Sequence, residues 1–212
     1  MSHEHDHDDD YDHPHDDGES RQLALRAEAL EALLVERGLV KPEGIDAIVA
    51  RYAHEIGPLN GARVVARAWS DAAFKQRLLT DAWSAIRELG LTIGGENTPV
   101  VVVANEPGVH NVVVCTLCSC YPSSLLGLPP AWYKSPPYRA RVVREPRAVL
   151  RELGLELPES TALRVWDSSA EIRYMVLPER PAGTDAASEE QLVSLVSRDA
   201  LIGVAQAGPP RA

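Results

Sequence analysis

Apolar residues recur at helical spacing near the start of the chain, where Leu23, Ala27, Leu30 and Leu34 fall on one face of a stretch running from Ser20 to Arg37. Gly38 stops that run, and Pro42 opens a second one that carries Ile45, Val49, Tyr52 and Ile56 to the breaker pair Gly57-Pro58. The pattern predicts two amphipathic helices whose apolar stripes must be buried against something. Beyond them, Ala62 to Ala68 reads as a strand, followed by a helix capped by Ser70 or Asp71 and closed by Gly90. Val100 to Ala104 and Val109 to Val114 are short and β-branched, as buried strands are. Residues 122 to 137 are rich in proline and predict an irregular ordered segment, and a helix is expected within Arg141 to Leu153, with Pro146 an alternative start. Leu163 to Trp166 and Glu171 to Leu177 are expected to pair with each other about Ser168-Ser169, and Ser188 to Gln191 form a capping box for the last helix. Strands and helices without a regular alternating rhythm predict the α+β class.

Composition adjusts this picture at the amino terminus. Met1 to Glu19 is nearly all His, Asp and Glu, and His3, His5, His7, His13 and His15 are five of the seven histidines. Such a segment cannot build a core and is expected to be a disordered, solvated tail, with a metal-gathering arm as the other reading. The net charge of −10 argues against a nucleic-acid partner, although much of it belongs to this tail. With 212 residues, 45% of them hydrophobic, and no apolar run long enough to span a bilayer, the chain reads as one soluble domain with appendages and no membrane partner. The absence of a signal peptide and of paired cysteines points to the cytoplasm.

The chemistry is concentrated in one place. All three cysteines lie in Val114-Cys115-Thr116-Leu117-Cys118-Ser119-Cys120-Tyr121. Soft thiolates this close mark a metal site, since ordinary core usage scatters single cysteines. A disulfide framework, a redox pair at Cys115 and Cys118, and a structural zinc completed by His110 are the competing readings. The odd count, the immediate Pro122 and the confinement to one turn weigh against them in that order. The spacing suits a claw. Cys118 and Cys120 flank Ser119, so an ion held by both sulfurs faces the peptide nitrogens of Ser119 and Cys120, which become ligands only to a strongly Lewis-acidic ion such as Co(3+) or Fe(3+). Three thiolates and two amidates around a trivalent ion sum to about −2, so cations or hydrogen-bond donors must surround the site. Arg139, Arg141, Arg144 and Arg147 follow closely in sequence and are candidates.

The cysteine run, together with Gly127-Leu128-Pro129-Pro130, Trp132-Tyr133-Lys134 and Tyr138-Arg139, resembles the alpha subunit of nitrile hydratase. Val165-Trp166-Asp167-Ser168-Ser169, the stretch Leu177 to Thr184, Ile202-Gly203-Val204, Glu55-Ile56-Gly57-Pro58 and Gly61 to Trp69 extend the resemblance over nearly everything after about residue 20. It implies a layered mixed α/β body with an N-terminal helical arm that wraps a partner subunit. The domains are then a tail at 1–19, an arm at 20–58 and a catalytic metal-binding domain at 59–212.

The resemblance also implies a metal held by Cys115, Cys118 and Cys120 through sulfur and by Ser119 and Cys120 through backbone nitrogen, one ion per chain, with Cys118 oxidised to sulfinic and Cys120 to sulfenic acid. Thr116 and Tyr121 resemble the cobalt type, so Co(3+) is expected over Fe(3+). The implied reaction hydrates a small nitrile to its amide, with a beta subunit as obligatory partner and a metal-loading activator protein as a further one. Cys120, through its sulfenate oxygen, and Ser119, through its hydroxyl, are the expected catalytic residues, with hydroxide activated by the ion as the other nucleophile. Tyr121, Ser123 and Trp132 are the expected substrate pocket. Two departures stand out: Ser123-Ser124 occupy the place where the cobalt type commonly has Trp-Pro, and Gly94-Gly95-Glu96-Asn97 lacks the glutamine expected before its Gly-Glu pair. The related thiocyanate hydrolase subunit and a metal-binding or metal-delivery protein are the alternatives.

Overall fold

The computed structural model describes residues 17–54, 59–91 and 98–209. Residues 1–16 of the expected tail, the end of the second helix at Gly57-Pro58 and the Gly94-Gly95-Glu96-Asn97 stretch lie outside them. The chain divides into two compact units between Ile48 and Val49. Helix α1 spans Asp17–Glu36 and α2 spans Pro42–His54, with Gly38 between them at φ +66°, a left-handed turn that glycine adopts without strain. Leu25, Leu30, Leu33 and Leu39 remain exposed in the first unit.

The second unit opens with a correction. Ala62 to Ala68 is not a strand but lies within α3, Leu59–Ser70. Gly61, Ala62, Val64, Val65, Ala66 and Ala68 are buried, whereas Arg63, Arg67 and Ser70 are not. Those polar positions stand at i, i+4 and i+7, the mark of a helix with one narrow solvent stripe, and the paired valines masked it. Alanine, the best helix former, supplies the rest. The next expected helix is two, α4 (Ala72–Thr80) and α5 (Ala82–Glu88). Asp71 caps the first by accepting from the Phe74 N–H. Asp81 ends it with its own N–H on the Arg77 carbonyl and starts the second by accepting from the Ser84 N–H.

Strands β1 (Val100–Ala104) and β2 (Val109–Val114) form where expected. The later pair, β3 (Ala162–Asp167) and β4 (Arg173–Leu177), also forms, but its members do not pair with each other. β3 runs parallel to β2 with Val114 opposite Asp167, and β4 runs parallel to β1 with Val100 opposite Arg173. The linker from Ser168 to Ile172 holds no Gly or Asn for the positive φ angles of a tight hairpin, and its Ser168 N–H bonds the Val114 carbonyl instead. The fold is therefore mixed, with many helices and two small parallel sheets. Alternate residues serve two apolar clusters: Val100, Val102, Val112, Val114, Met175 and Leu177 join the helices, while Val103, Val113 and Val176 meet Trp166 and Tyr174.

The proline-rich segment carries two short helices, α6 (Ser123–Leu126) and α7 (Ala131–Lys134). α8 (Pro136–Arg144) and α9 (Pro146–Glu152) follow, so Pro146 does start a helix. The capping box at Ser188 and Gln191 opens α10 (Glu189–Val193), but α11 (Arg198–Ile202) comes after it. Gly203 closes α11 at φ +89°, where a β-carbon would collide with the Asn111 carbonyl. Among the described residues no helix is long and apolar enough to cross a membrane.

Candidate metal centre

Strand β2 delivers Cys115 to the mouth of the sheet, and the parallel register with β3 brings Asp167 beside the turn that follows. Both Asp167 oxygens are used: Oδ1 accepts the Thr116 N–H at 2.9 Å and Oδ2 accepts the Thr116 hydroxyl at 2.6 Å. Farther along, Arg139 Nη1 donates to the Cys118 carbonyl at 3.3 Å and the Tyr133 hydroxyl to the Cys120 carbonyl at 3.1 Å. Side chains of β3, α8 and α7 thus grip the main chain at three positions of the turn.

The sulfurs converge. Sγ of Cys118 lies 3.4 Å from that of Cys115 and 3.1 Å from that of Cys120, and all three fall within 4.8 Å of one another. Hydrogen bonding from the Cys120 and Cys115 thiols, helped by the N–H groups of Cys120 and Ser119, brings the Cys118 thiol down to about 7. Burial, reinforced by the Cys118 sulfur, pushes Cys120 up to about 12, while the Arg173 charge opposes the rise. Protons crowded among three sulfurs are what a cation would replace. The donor set fits a soft, strongly Lewis-acidic ion: three sulfurs lie on one turn, and the peptide nitrogens of Ser119 and Cys120 lie within reach of the central one. His110 does not join them. Its Nε2 donates to the Gly203 carbonyl at 2.7 Å, which removes the fourth ligand of the structural-zinc reading.

A cavity of about 340 Å³ opens beside the cysteines, lined by Cys118, Ser119, Cys120, Tyr121, Ser123 and Arg173 among others. Ser119 is exposed at its rim and Ser123 sits at the first position of α6. Tyr121 is buried, with its hydroxyl 3.4 Å from the Leu126 carbonyl, and Trp132 packs edge-on against Tyr133 and Tyr138. Of the four downstream arginines, Arg139 is the one that hydrogen-bonds the turn, and Arg144 shares a cavity with Thr116 and Leu117. Arg141 pairs with Glu145 and Glu152, Arg144 bonds the Ala140 carbonyl, and Arg147 bonds the carbonyls of Leu157, Pro158 and Thr161. The sequence alone gives no role to Asp167 or Arg173, and it offers Tyr133 only as a pocket-lining or core aromatic. The parallel pairing that places Asp167 and Arg173 here had no local signal.

A small mixed α/β body that presents a three-cysteine turn at the end of a parallel strand pair defines a metalloenzyme subunit of a narrow kind. The sequence matches the family described as nitrile hydratase, alpha chain, across residues 21–205. It is 56% identical over 186 residues to the low-molecular weight cobalt-containing nitrile hydratase subunit alpha of Rhodococcus rhodochrous, covering 87% of this chain and 89% of that protein. It is 43% identical over 191 residues to the thiocyanate hydrolase subunit gamma of Thiobacillus thioparus, covering 85% and 78%. The fold superposes on a double mutant of the iron-type nitrile hydratase from Comamonas testosteroni Ni1 with a TM-score of 0.82 and 43% identity, covering 93% of this chain and 97% of that one. The chain belongs to the nitrile hydratase alpha-chain family and is an enzyme subunit.

Proposed function

We propose that this chain is the metal-bearing subunit of a cobalt-type enzyme that hydrates nitriles to amides. The carrying observation is the convergence of three sulfurs, with two peptide nitrogens beside the central one, on a turn held at three positions. Cys115, Cys118 and Cys120 would hold one Co(3+) through sulfur, and Ser119 and Cys120 through backbone nitrogen. Cobalt is favoured over iron by Thr116 and by a cobalt-containing relative at 56% identity, against 43% for the iron-type structure. When bound, the ion supplies Lewis acidity that makes the nitrile carbon susceptible to attack by oxygen.

The remaining work falls to side chains. Cys120, oxidised by dioxygen or a peroxide to the sulfenate, would attack the nitrile carbon through its oxygen, and water adding to that carbon would break the new C–O bond, release the amide and return the sulfenate; Cys118, an exposed thiol held near 7, would be oxidised likewise to the sulfinate. Ser119, at the cavity rim, orients the incoming small molecule with its hydroxyl. Arg173, which lines the same cavity and whose charge acts on Cys120, offsets the negative charge of the oxidised sulfurs. Tyr121, Ser123 and Trp132 form or back the substrate wall. The net change is addition of water across the C≡N bond, with no electrons exchanged.

A beta subunit is the partner. Leu117, 85% exposed at the tip of the turn, and the half-exposed Leu128 and Val143 surround the cysteines with apolar surface that a second chain would cover. The arm at 20–58 embraces that subunit, the domain at 59–212 carries the metal, and an activator protein assists loading in the cytoplasm. The test is co-expression with a beta subunit in cobalt-supplemented medium, followed by assay of amide formation and cobalt content. Wild type is expected to hold one cobalt per chain, and Cys118→Ser to lose both metal and activity. A full metal equivalent in that variant would sink the ligand assignment, and turnover of thiocyanate in place of nitriles would assign the chain to the hydrolase branch.

A further inference from the structure

Behind the cysteine turn pack Tyr121, Trp132, Tyr133 and Tyr138, and all three phenols donate to main-chain carbonyls, that of Tyr121 to Leu126 at 3.4 Å. Tyr138 donates to Val113 at 2.8 Å, inside strand β2. Tyr133 donates to Cys120 at 3.1 Å, on the turn itself. The Tyr133 ring is fully buried, with the Ser168 side chain near its phenol. Ser168 is buried as well: its Oγ accepts the Tyr174 N–H at 3.3 Å, and its own N–H bonds the Val114 carbonyl at 2.7 Å. The one phenol that reaches the carbonyl of the last cysteine is thus held inside the core.

We propose that Tyr133 is the positioning residue of the claw, fixing the Cys120 backbone so that its sulfur and its peptide nitrogen face the same point. The inference rests on the cobalt-claw reading above. Cys120 is the residue asked to supply both atoms, and their directions depend on the torsions on either side of its α-carbon. Holding its carbonyl restricts those torsions. Arg139 grips the Cys118 carbonyl through a long, partly exposed side chain, whereas Tyr133 is a buried ring with two torsions and packed neighbours, so it holds its carbonyl more tightly. The hydroxyl touches no substrate atom. It acts through the ligand, as hydrogen-bonded residues behind metal ligands do.

The experiment compares Tyr133→Phe and the control Tyr138→Phe with wild type, each as the full-length chain co-expressed with its beta subunit in cobalt-supplemented medium. Cobalt per chain, the sulfur-to-cobalt charge-transfer absorption, and kcat and KM on a small aliphatic nitrile are measured for each. Tyr133→Phe is expected to shift the charge-transfer band and to lower cobalt occupancy or kcat by about tenfold, with KM within about twofold of wild type. Tyr138→Phe, which removes an equivalent buried bond away from the turn, keeps the wild-type band. Wild-type cobalt, band and kcat in Tyr133→Phe would overturn the proposal, as would the same band shift in Tyr138→Phe. A wild-type protein without cobalt or nitrile turnover would instead overturn the reading beneath it.

Discussion

At position 123 a serine begins α6 and lines the cavity beside Cys120, at a place where the cobalt-type pattern carries an indole. The small side chain leaves that wall open, and the polar hydroxyl does nothing to exclude water from it. Ser123→Trp is expected to reduce activity on bulky or heteroaromatic nitriles while activity on small aliphatic ones holds or rises. The ratio should change about tenfold, because filling a hydrophobic pocket alters discrimination by about 1–3 kcal/mol. Kinetics on one small and one aromatic nitrile, at equal cobalt content, decide it: an unchanged ratio would show that this side chain does not face the substrate. The same scale separates residues the sequence announces from those it hides. Cys115, Cys118 and Cys120 stand out by spacing alone, since ordinary core usage scatters single cysteines. Asp167, Tyr133 and Arg173 look like ordinary strand-end and helix residues until the chain is folded, and their contributions come from where pairing puts them.

Among the elements, the junction of β1, β2 and α11 is tied by polar groups whose balance depends on pH. Trp166 Nε1 donates to Asn111 Oδ1, Asn111 Nδ2 donates to the Ala104 carbonyl and to Asn105 Oδ1, and Asn105 Nδ2 bonds His110 Nδ1, whose ring donates from Nε2 to Gly203. Every partner is satisfied only while the ring is neutral, because Nδ1 must accept. Burial lowers the His110 value below its ordinary one, outweighing the Gly203 carbonyl and the Glu179 charge, which favour the proton. The unfolded chain therefore takes up the proton first as pH falls. Stability is full above about pH 6.5 and declines below it, by at most about 1.4 kcal/mol per pH unit from this group, until the folded-state value is passed. Denaturant unfolding at pH 7.5 and 5.5 should show this loss in wild type and less of it in His110→Gln; an equal loss in both would place the acid sensitivity elsewhere. The elements were legible where they rest on local chemistry: β1, β2, the caps at Asp71 and Ser188, and the start at Pro146. What local pattern could not give was the pairing of β3 with β2 and of β4 with β1, because parallel partners are chosen by packing across the whole body. α3 was misread for the related reason that a helix buried on nearly every side lacks the wide polar face by which helices are recognised.

On the scale of the molecule, apolar surface is left over in both compact units. Leu25, Leu30, Leu33 and Leu39 are exposed in the first, and Leu117, Leu128 and Val143 in the second. Burying a leucine is worth about 1.5–3 kcal/mol, so these positions together represent a large incentive to associate. Among the described residues, the core of the second unit draws on residues from Ala62 to Val204. If the arm is an embrace for the beta subunit and not part of the fold of the catalytic domain, deleting residues 1–48 should leave a domain that unfolds cooperatively and retains its far-ultraviolet circular dichroism per residue. It should also weaken assembly with the beta subunit by at least about tenfold, equivalent to losing about 1.4 kcal/mol or more of interface. Size-exclusion chromatography of the co-expressed pair measures the second outcome, and thermal unfolding of the truncated chain the first. A truncated chain that still elutes with its partner in a stable complex would show that the surface around the cysteines is sufficient for assembly. A truncated chain that fails to fold would show that the arm supports its own body, since its leucines would then have been contributing to intramolecular stability and not waiting for a second subunit.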